Sequence, residues 1–388
     1  MSQLSKRAKQ VSPSPTLAIT AKANQMKASG IDIISFGAGE PDFDTPKNIK
    51  EAAKAAIDSG FTKYTPSSGT IQLKDAIVEK FKNDNGLEYK RDQIVVSCGA
   101  KHSLYNVMMA LCDPGDEVII PAPYWVSYPE MVKLADGVPK YINTDDNTSF
   151  KINSKVLKDN LTKKTKIFIL NSPGNPTGSV YSADELNDIA KICVENNIIV
   201  VSDEIYEKNL YDGFKHISIA SFGEAIKNLT IVVNGVSKTY AMTGWRIGYF
   251  AAASDIAKAV SQIQDHSTSN PTSIAQAAAL EAIKGPQDEV LKMVEEFDKR
   301  RKYLVLRLNS ISGISCIMPK GAFYAFPNIS ELKTDSDKFA DYLLTKYNVA
   351  VVPGSGFGAP QNIRLSYATS MINIEKGLDR IEEACKAL

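Results

Sequence analysis

The chain carries 45 Lys and Arg against 44 Asp and Glu over 388 residues, a formal net charge of +1. That balance speaks against a general nucleic-acid binder, and no apolar run approaches the ~20 residues of a membrane span. With 44% hydrophobic and 23% charged residues, the composition is that of a soluble globular protein long enough for two domains with sizeable cores.

Lys6, Arg7 and Lys9 are followed by no apolar segment of the kind a secretory leader needs, and a cytoplasmic location is expected. After this polar arm, residues 31–36 read as a short strand that runs into the loop Gly37-Ala38-Gly39-Glu40-Pro41-Asp42-Phe43-Asp44-Thr45-Pro46. Short β-branched runs at 93–97, 117–120, 166–170, 198–202 and 229–233 alternate with helical periodicity at 69–83, 100–111, 182–196 and 254–265. Such alternation predicts an α/β fold, a largely parallel sheet with helices on both faces. Beyond about residue 286 the texture changes. A long charged amphipathic helix over 288–310, the segment 321–326, a helix over 335–346, strands at 349–352 and 363–367, and a terminal helix predict a smaller α+β domain. The expected division is an N-terminal arm with part of the small domain at 1–45, a large domain at 46–285 and the small domain at 286–388.

Cys98, Cys112, Cys193, Cys316 and Cys385 are scattered without C-x-x-C spacing, so reduced thiols are expected. His102, His216 and His266 stand apart without metal-ligand spacing; structural or surface roles are expected for them, and no metal.

Chemistry concentrates in a few short segments. In Val236-Ser237-Lys238-Thr239-Tyr240-Ala241-Met242-Thr243-Gly244-Trp245-Arg246-Ile247-Gly248-Tyr249, a lysine in a small-residue turn precedes an arginine by eight positions. An amine there can form a Schiff base with an aldehyde cofactor such as pyridoxal phosphate, and the planar guanidinium can hold the cofactor phosphate. Ser97-Cys98-Gly99-Ala100-Lys101-His102-Ser103 follows a strand and opens a helix, where free N–H groups suit a phosphate; an ordinary β–α turn is the alternative. Trp125, in Pro121-Ala122-Pro123-Tyr124-Trp125-Val126-Ser127-Tyr128-Pro129, offers a flat face to a planar ring or is simply half-buried. Asn171-Ser172-Pro173-Gly174-Asn175-Pro176-Thr177-Gly178 lies where ligands of open α/β sheets bind, and Asn175 can donate to a phenolate oxygen. In Val200-Val201-Ser202-Asp203-Glu204-Ile205-Tyr206, Asp203 can pair with a protonated pyridine nitrogen and Tyr206 can donate to the phenolate, with Glu204 a structural or solvent-facing neighbour. Arg364 stands inside the apolar run Asn362-Ile363-Arg364-Leu365-Ser366-Tyr367; it forms a structural salt bridge or, in the reading preferred, clamps a substrate carboxylate.

Taken in order, these segments resemble the class I pyridoxal-phosphate-dependent aminotransferases, and most closely their bacterial and plastid-type aspartate aminotransferase subgroup. The likeness runs from Pro13-Ser14-Pro15-Thr16 to Arg364-Leu365-Ser366-Tyr367-Ala368-Thr369-Ser370. It implies a fold-type-I homodimer that binds pyridoxal 5′-phosphate and acts on small amino and keto acids, with no nucleic-acid or membrane partner. It implies Lys238 as the Schiff-base lysine. Gly99, Ala100, Lys101, Trp125, Asn175, Asp203, Tyr206, Ser237 and Arg246 would hold the cofactor, with Tyr64 reaching the phosphate of the neighbouring subunit. Gly39 and Arg364 would contact the substrate α-carboxylate, and Lys101 and Thr16 the distal acidic group, with Trp125 and Asn175 also facing substrate. Two departures stand out. Many members have glycine where this chain has Ala100, and relatives that accept prephenate often carry a basic residue where it has Ser12. Glutamate, aspartate–prephenate or aromatic specificity are the competing readings, and a C–S lyase a more distant one. A DNA-binding regulator would add an N-terminal domain, and only a short arm precedes Pro13.

Overall fold

The computed structural model describes residues 3–388. Its strands, in chain order, are β1 (Ile34–Ser35), β2 (Ile94–Ser97), β3 (Glu117–Ala122), β4 (Val138–Asn143), β5 (Thr165–Asn171), β6 (Ile199–Asp203), β7 (Thr230–Gly235), β8 (Gly248–Ala251), β9 (Tyr324–Ala325), β10 (Val349–Ala350), β11 (Val352–Pro353) and β12 (Ile363–Ser366). Seven of them form one sheet in the order β2-β8-β7-β6-β5-β3-β4. All neighbours are parallel except β8, which runs antiparallel to both β2 and β7.

The expected largely parallel α/β sheet is therefore present, and its side-chain pattern follows from strand geometry. Successive residues point to opposite faces. Val118 and Ile120 join Ile167 and Ile169 in one core with Leu104 and Val107 of the helix Ala100–Leu111. Ile119, Phe168 and Leu170 face the other way, onto Leu186 and Ile189 of the helix Ala183–Glu195. Both faces are covered, which is why the central strands read as unbroken apolar runs.

Two strands escaped the periodicity. β4 is an edge strand with most of its residues partly exposed, so its apolar signal is diluted. β8 is short and directly follows the Lys238–Arg246 segment. The helices Lys47–Asp58, Ser127–Leu134 and Ser273–Lys284 were likewise not anticipated. The polar arm is helical, over Lys6–Gln10 and Pro15–Ala28, with Ser5 and Ser14 capping through their side chains. The strand expected at 31–36 shrinks to the two residues of β1, which pair in parallel with β10. The 321–326 and 349–352 segments likewise pair over only two residues at a time, as β9, β10 and β11.

β11, β12 and β9 make a small antiparallel sheet. Its β9 packs with the long helix Asp288–Asn309, which in turn contacts the terminal helix Met371–Lys386; the terminal helix lies against β1 and β10. The long helix is charged as expected, yet Arg300 and Arg301 on it are buried. Arg300 reaches Asp42 at 2.7 Å, which ties the helix to the loop after β1.

One contact couples the sheet to the cleft described next. Gly248 of β8 lies against the start of the helix Ala100–Leu111, where an added Cβ would stand 2.0 Å from the Ala100 nitrogen. Backbone cannot yield as a side-chain tip can. Gly248→Ala is expected to cost about 3 kcal/mol, the upper end of the usual overpacking cost, in urea unfolding of the protein. An unchanged midpoint would show that this helix start is not rigidly seated.

Candidate active site

The parallel strands end along one edge, and four of their exits turn into the same cleft. β3 leads to Trp125 and Tyr128, β5 to Asn171 and Asn175, β6 to Asp203 and Tyr206, and β7 to Ser237 and Lys238. This is the edge at which ligands of open α/β sheets bind. Tyr324 of β9 and Arg364 of β12 close it from the other side, and Thr16, Gly39 and Glu40 come from the N-terminal part of the chain. The cavity is about 440 Å³, within the usual range for small-ligand sites.

Lys238 donates a hydrogen bond from Nζ to the Gly39 carbonyl. Burial lowers its ammonium to about 8; Glu40 opposes that shift, while the Arg364 and Arg246 charges add to it. An amine of that acidity is available as a nucleophile or base near neutral pH.

Asp203 is 4% exposed and accepts hydrogen bonds from Tyr128 Oη at 2.7 Å and from the Ile205 N–H at 3.3 Å. Burial pushes its carboxyl up to about 6, against the pull of the Tyr128 bond. Tyr206 Oη lies 2.8 Å from Tyr324 Oη.

Arg364 is 2% exposed. Its guanidinium donates to Asn175 Oδ1 at 3.1 Å and the Gly37 carbonyl at 3.0 Å, and it sits over the Tyr324 ring. Its Nε has no partner, and among the described residues no carboxylate pairs with it. The structural salt bridge is thus absent. What remains is a buried cation held by neutral groups in a cleft, the arrangement that awaits an anion.

A second cation waits at the helix start. Arg246, in a left-handed conformation (φ 57°), is fixed by the carbonyls of Thr243 at 2.9 Å and Cys98 at 3.3 Å, with no carboxylate partner among the described residues. It lies against Gly99 (φ +91°), where a Cβ would come within 2.4 Å of Arg246 Nη2. As first residues of their helix, Ala100 and Lys101 present N–H groups with no intrahelical partner. Glycine, helix start and guanidinium together form a cradle that fits a phosphate. Lys101 sits over the Trp125 ring at 4.8 Å, and burial and then the Arg246 charge lower its basicity.

Of the residues anticipated from sequence, all line this cleft except Gly99, which shapes the cradle from behind, and Tyr64. Tyr64 is 92% exposed and lies outside the cavity of its own chain. Glu204 is not solvent-facing: it is 1% exposed and hydrogen-bonded within the protein. Sequence reasoning passed over Tyr128, Tyr324 and Glu40. Tyr128 stood in the aromatic loop from which only Trp125 was chosen; its bond to Asp203 spans 75 positions and has no local signature.

Comparison with known proteins agrees with this geometry. The model of the family "Aminotransferase class I and II" matches residues 31–381. An aspartate aminotransferase of Bacillus sp. (strain YM-2) is 55% identical, with 99% of each chain covered. An aspartate/prephenate aminotransferase of Nitrosomonas europaea is 48% identical, with 98% of each covered. The structure of a Thermus thermophilus aspartate aminotransferase with maleate superposes with a TM-score of 0.96 at 41% identity, covering 99% of this chain and 100% of that one. The fold is that of a fold-type-I transferase. The chain belongs to the class I and II aminotransferases and is a transaminase.

Holding an acid in a dry site costs stability. Folded Asp203 keeps its proton up to about pH 6, whereas an unfolded aspartate releases it near 3.8. Stability therefore falls as pH rises between those values, and above them about 3 kcal/mol is lost. Asp203→Asn, which can still accept from Tyr128, is expected to raise the thermal midpoint of the cofactor-free protein at pH 7.5 and to leave it unchanged at pH 3.5. Equal midpoints at both pH values would mean that Asp203 is not desolvated.

Proposed function

We propose that the protein transfers the amino group of L-aspartate to 2-oxoglutarate, giving oxaloacetate and L-glutamate, with pyridoxal 5′-phosphate carried on Lys238. The observation that carries this reading is the buried, carboxylate-free Arg364 facing the same cleft as Lys238 and Lys101. Two cations at different places in one cleft suit the two carboxylates of aspartate and glutamate. Maleate, a dicarboxylate, in the Thermus thermophilus structure supports the same view.

Pyridoxal phosphate, when bound, supplies an aldehyde that condenses with amines and a ring that accepts the electron pair left at the substrate Cα. The rest falls to the chain. Lys238 offers the amine that holds the aldehyde. With its amine free, Lys238 Nζ would serve as the base that takes the substrate Cα proton and then as the acid that delivers it away from Cα. Asp203 holds the ring nitrogen protonated. Asn175 keeps its Nδ2 as a donor, because Arg364 already uses its Oδ1. Tyr206 donates a second hydrogen bond, and Trp125 provides the flat face. Gly99, Ala100, Lys101, Ser237 and Arg246 receive the phosphate. Arg364 and Gly39 hold the α-carboxylate, with Lys101 and Thr16 at the distal acid. Two half-reactions at one site give ping-pong kinetics.

The exposed Tyr64 is read as a contact to the cofactor phosphate of a second subunit, making the working unit a symmetric homodimer. The division at about residues 45 and 285 is retained as the domain boundary. No helix among the described residues is long and apolar enough to cross a membrane. Five free cysteines fit a cytoplasmic setting. Relatives named for prephenate keep that acceptor as a second specificity to be assayed.

Two experiments test the reading. Borohydride reduction followed by peptide mapping is expected to place the pyridoxyl group on Lys238. Mixing Tyr64→Phe with Lys238→Ala subunits then restores activity only if sites are shared, since each hybrid has one intact site. Label on another lysine sinks the first part, and an active monomer in sedimentation the second.

Specificity is tested separately. Loss of one charge-assisted contact typically costs about 1.5–3 kcal/mol, or roughly ten- to a hundredfold. Lys101→Ala is expected to lower kcat/KM by that factor for aspartate and glutamate but little for alanine or phenylalanine. Arg364→Ala is expected to impair all four. Equal damage to every donor by Lys101→Ala would assign Lys101 to the cofactor alone.

A further inference from the structure

Successive residues at the end of β6 turn opposite ways: Asp203 lines the cleft, and Glu204 does not. Glu204 enters a buried polar cluster on the far side. Its Oε1 accepts from Ser202 Oγ at 2.8 Å and Ser218 Oγ at 2.7 Å, and its Oε2 pairs with His216 Nε2 at 2.7 Å. Glu207 is bonded by Asn85 Nδ2 at 3.0 Å and pairs closely with Lys80. The side chains of Glu204, Glu207, Lys80 and His216 are 1, 5, 7 and 9% exposed.

The charges in this space can be counted with both carboxylates ionised. Two carboxylates face one ammonium, and a net charge in the interior is expensive. The remaining neighbours do not change the balance. Asp84 lies 3.9 Å from Lys80 but is matched by Lys208 at 2.9 Å. Tyr89 faces Glu204, and Tyr240 and Tyr249 face Glu207; burial raises all three phenols, which keeps them neutral. With both carboxylates ionised and Lys80 charged, the cluster is neutral when His216 carries its proton. Glu204, Glu207 and His216 present ligand atoms within 4.8 Å of one another, but Lys80 already supplies the cation that such a set attracts.

We propose that His216 is a positioning residue for transamination: as an imidazolium it cancels the charge of Glu204, and so leaves the neighbouring Asp203 free to be the anion that the cofactor ring requires. This rests on the role given to Asp203 above. The electrostatics run the same way. Burial alone would lower the His216 imidazole, yet Glu204, by charge and hydrogen bond, and Glu207 outweigh it against the opposing Lys80, and the net direction is up. Glu204 in turn acts on Asp203 as a like charge, adding to the effect of burial.

The test has two arms. With only three histidines, 15N-histidine labelling of the full-length protein gives three imidazoles to assign, using His216→Asn as the control. His216 is expected to show both ring nitrogens protonated at pH 7. A neutral imidazole there overturns the proposal whatever the variants do. The second arm is the dissociation constant of pyridoxal phosphate as a function of pH. His216→Asn is expected to move the acidic limb upward by on the order of one pH unit, and so to weaken binding about tenfold on that limb. The double variant Glu204→Gln/His216→Asn, which restores neutrality, is expected to return the limb to its wild-type position. Equal weakening in the single and double variants would mark His216 as packing only and overturn the proposal. Asp203→Asn separates the two readings: if it binds cofactor as tightly as the wild type, the role of Asp203 fails, while the His216 protonation state is still read directly by NMR.

Discussion

Charge buried without a matching charge is the constraint around which this protein is organised. Arg364 lies in an apolar strand with carbonyl, amide and ring contacts and no carboxylate. Lys238 and Asp203 are both pushed toward their neutral forms by the same dry surroundings. An interior that lets its ions pair internally, as Lys80 and Glu207 do, gains a satisfied core and loses reactivity. The cleft does the reverse. It gives Arg364 no carboxylate and holds Lys238 and Asp203 toward their neutral forms, which under the proposed function suits a phosphorylated, aldehyde-bearing cofactor and a carboxylate substrate.

The fold makes this tolerable. Six of the seven strands run in one direction, so their exits converge on one edge, and the residues placed there sit on short turns from a rigid, doubly covered sheet. The single antiparallel strand, β8, has a local purpose. It returns from Arg246 through Gly248 and lies against the start of the helix Ala100–Leu111, which brings the guanidinium to the free N–H groups of that helix. Arg246 of the cradle and Lys238 therefore come from one continuous stretch of chain, held between β7 and β8, and the rest of the cradle comes from the turn after β2.

Behind the cleft, the Glu204 cluster is the satisfied counterpart of the unsatisfied site. Two adjacent residues at the end of β6 serve the two regimes, Asp203 facing the dry cavity and Glu204 facing three internal donors. Their proximity couples them, since like charges one residue apart in a medium of low dielectric cannot be indifferent to each other.

The family and the class of fold were legible in the sequence alone. Lys238, Arg246, Asp203, Asn175 and Arg364 were legible as candidates because each lies in a short segment of distinctive composition, and the structure brings all five to one cleft; the alternation of apolar runs with helical periods sufficed for a largely parallel sheet. The tertiary structure alone decided the pairings across the chain. Tyr128 reaches Asp203 over 75 positions and Tyr324 reaches Tyr206 over 118, and neither distance leaves a trace in local pattern. The arm read as merely polar is two capped helices with Ala23 their only buried residue, so burial wrote almost no periodicity into it. The edge strand β4 was lost for the same reason. Whether Arg364 had an acidic partner could not be read from its strand either, because that question is answered by residues brought to it from elsewhere, and among the described residues none of them is acidic.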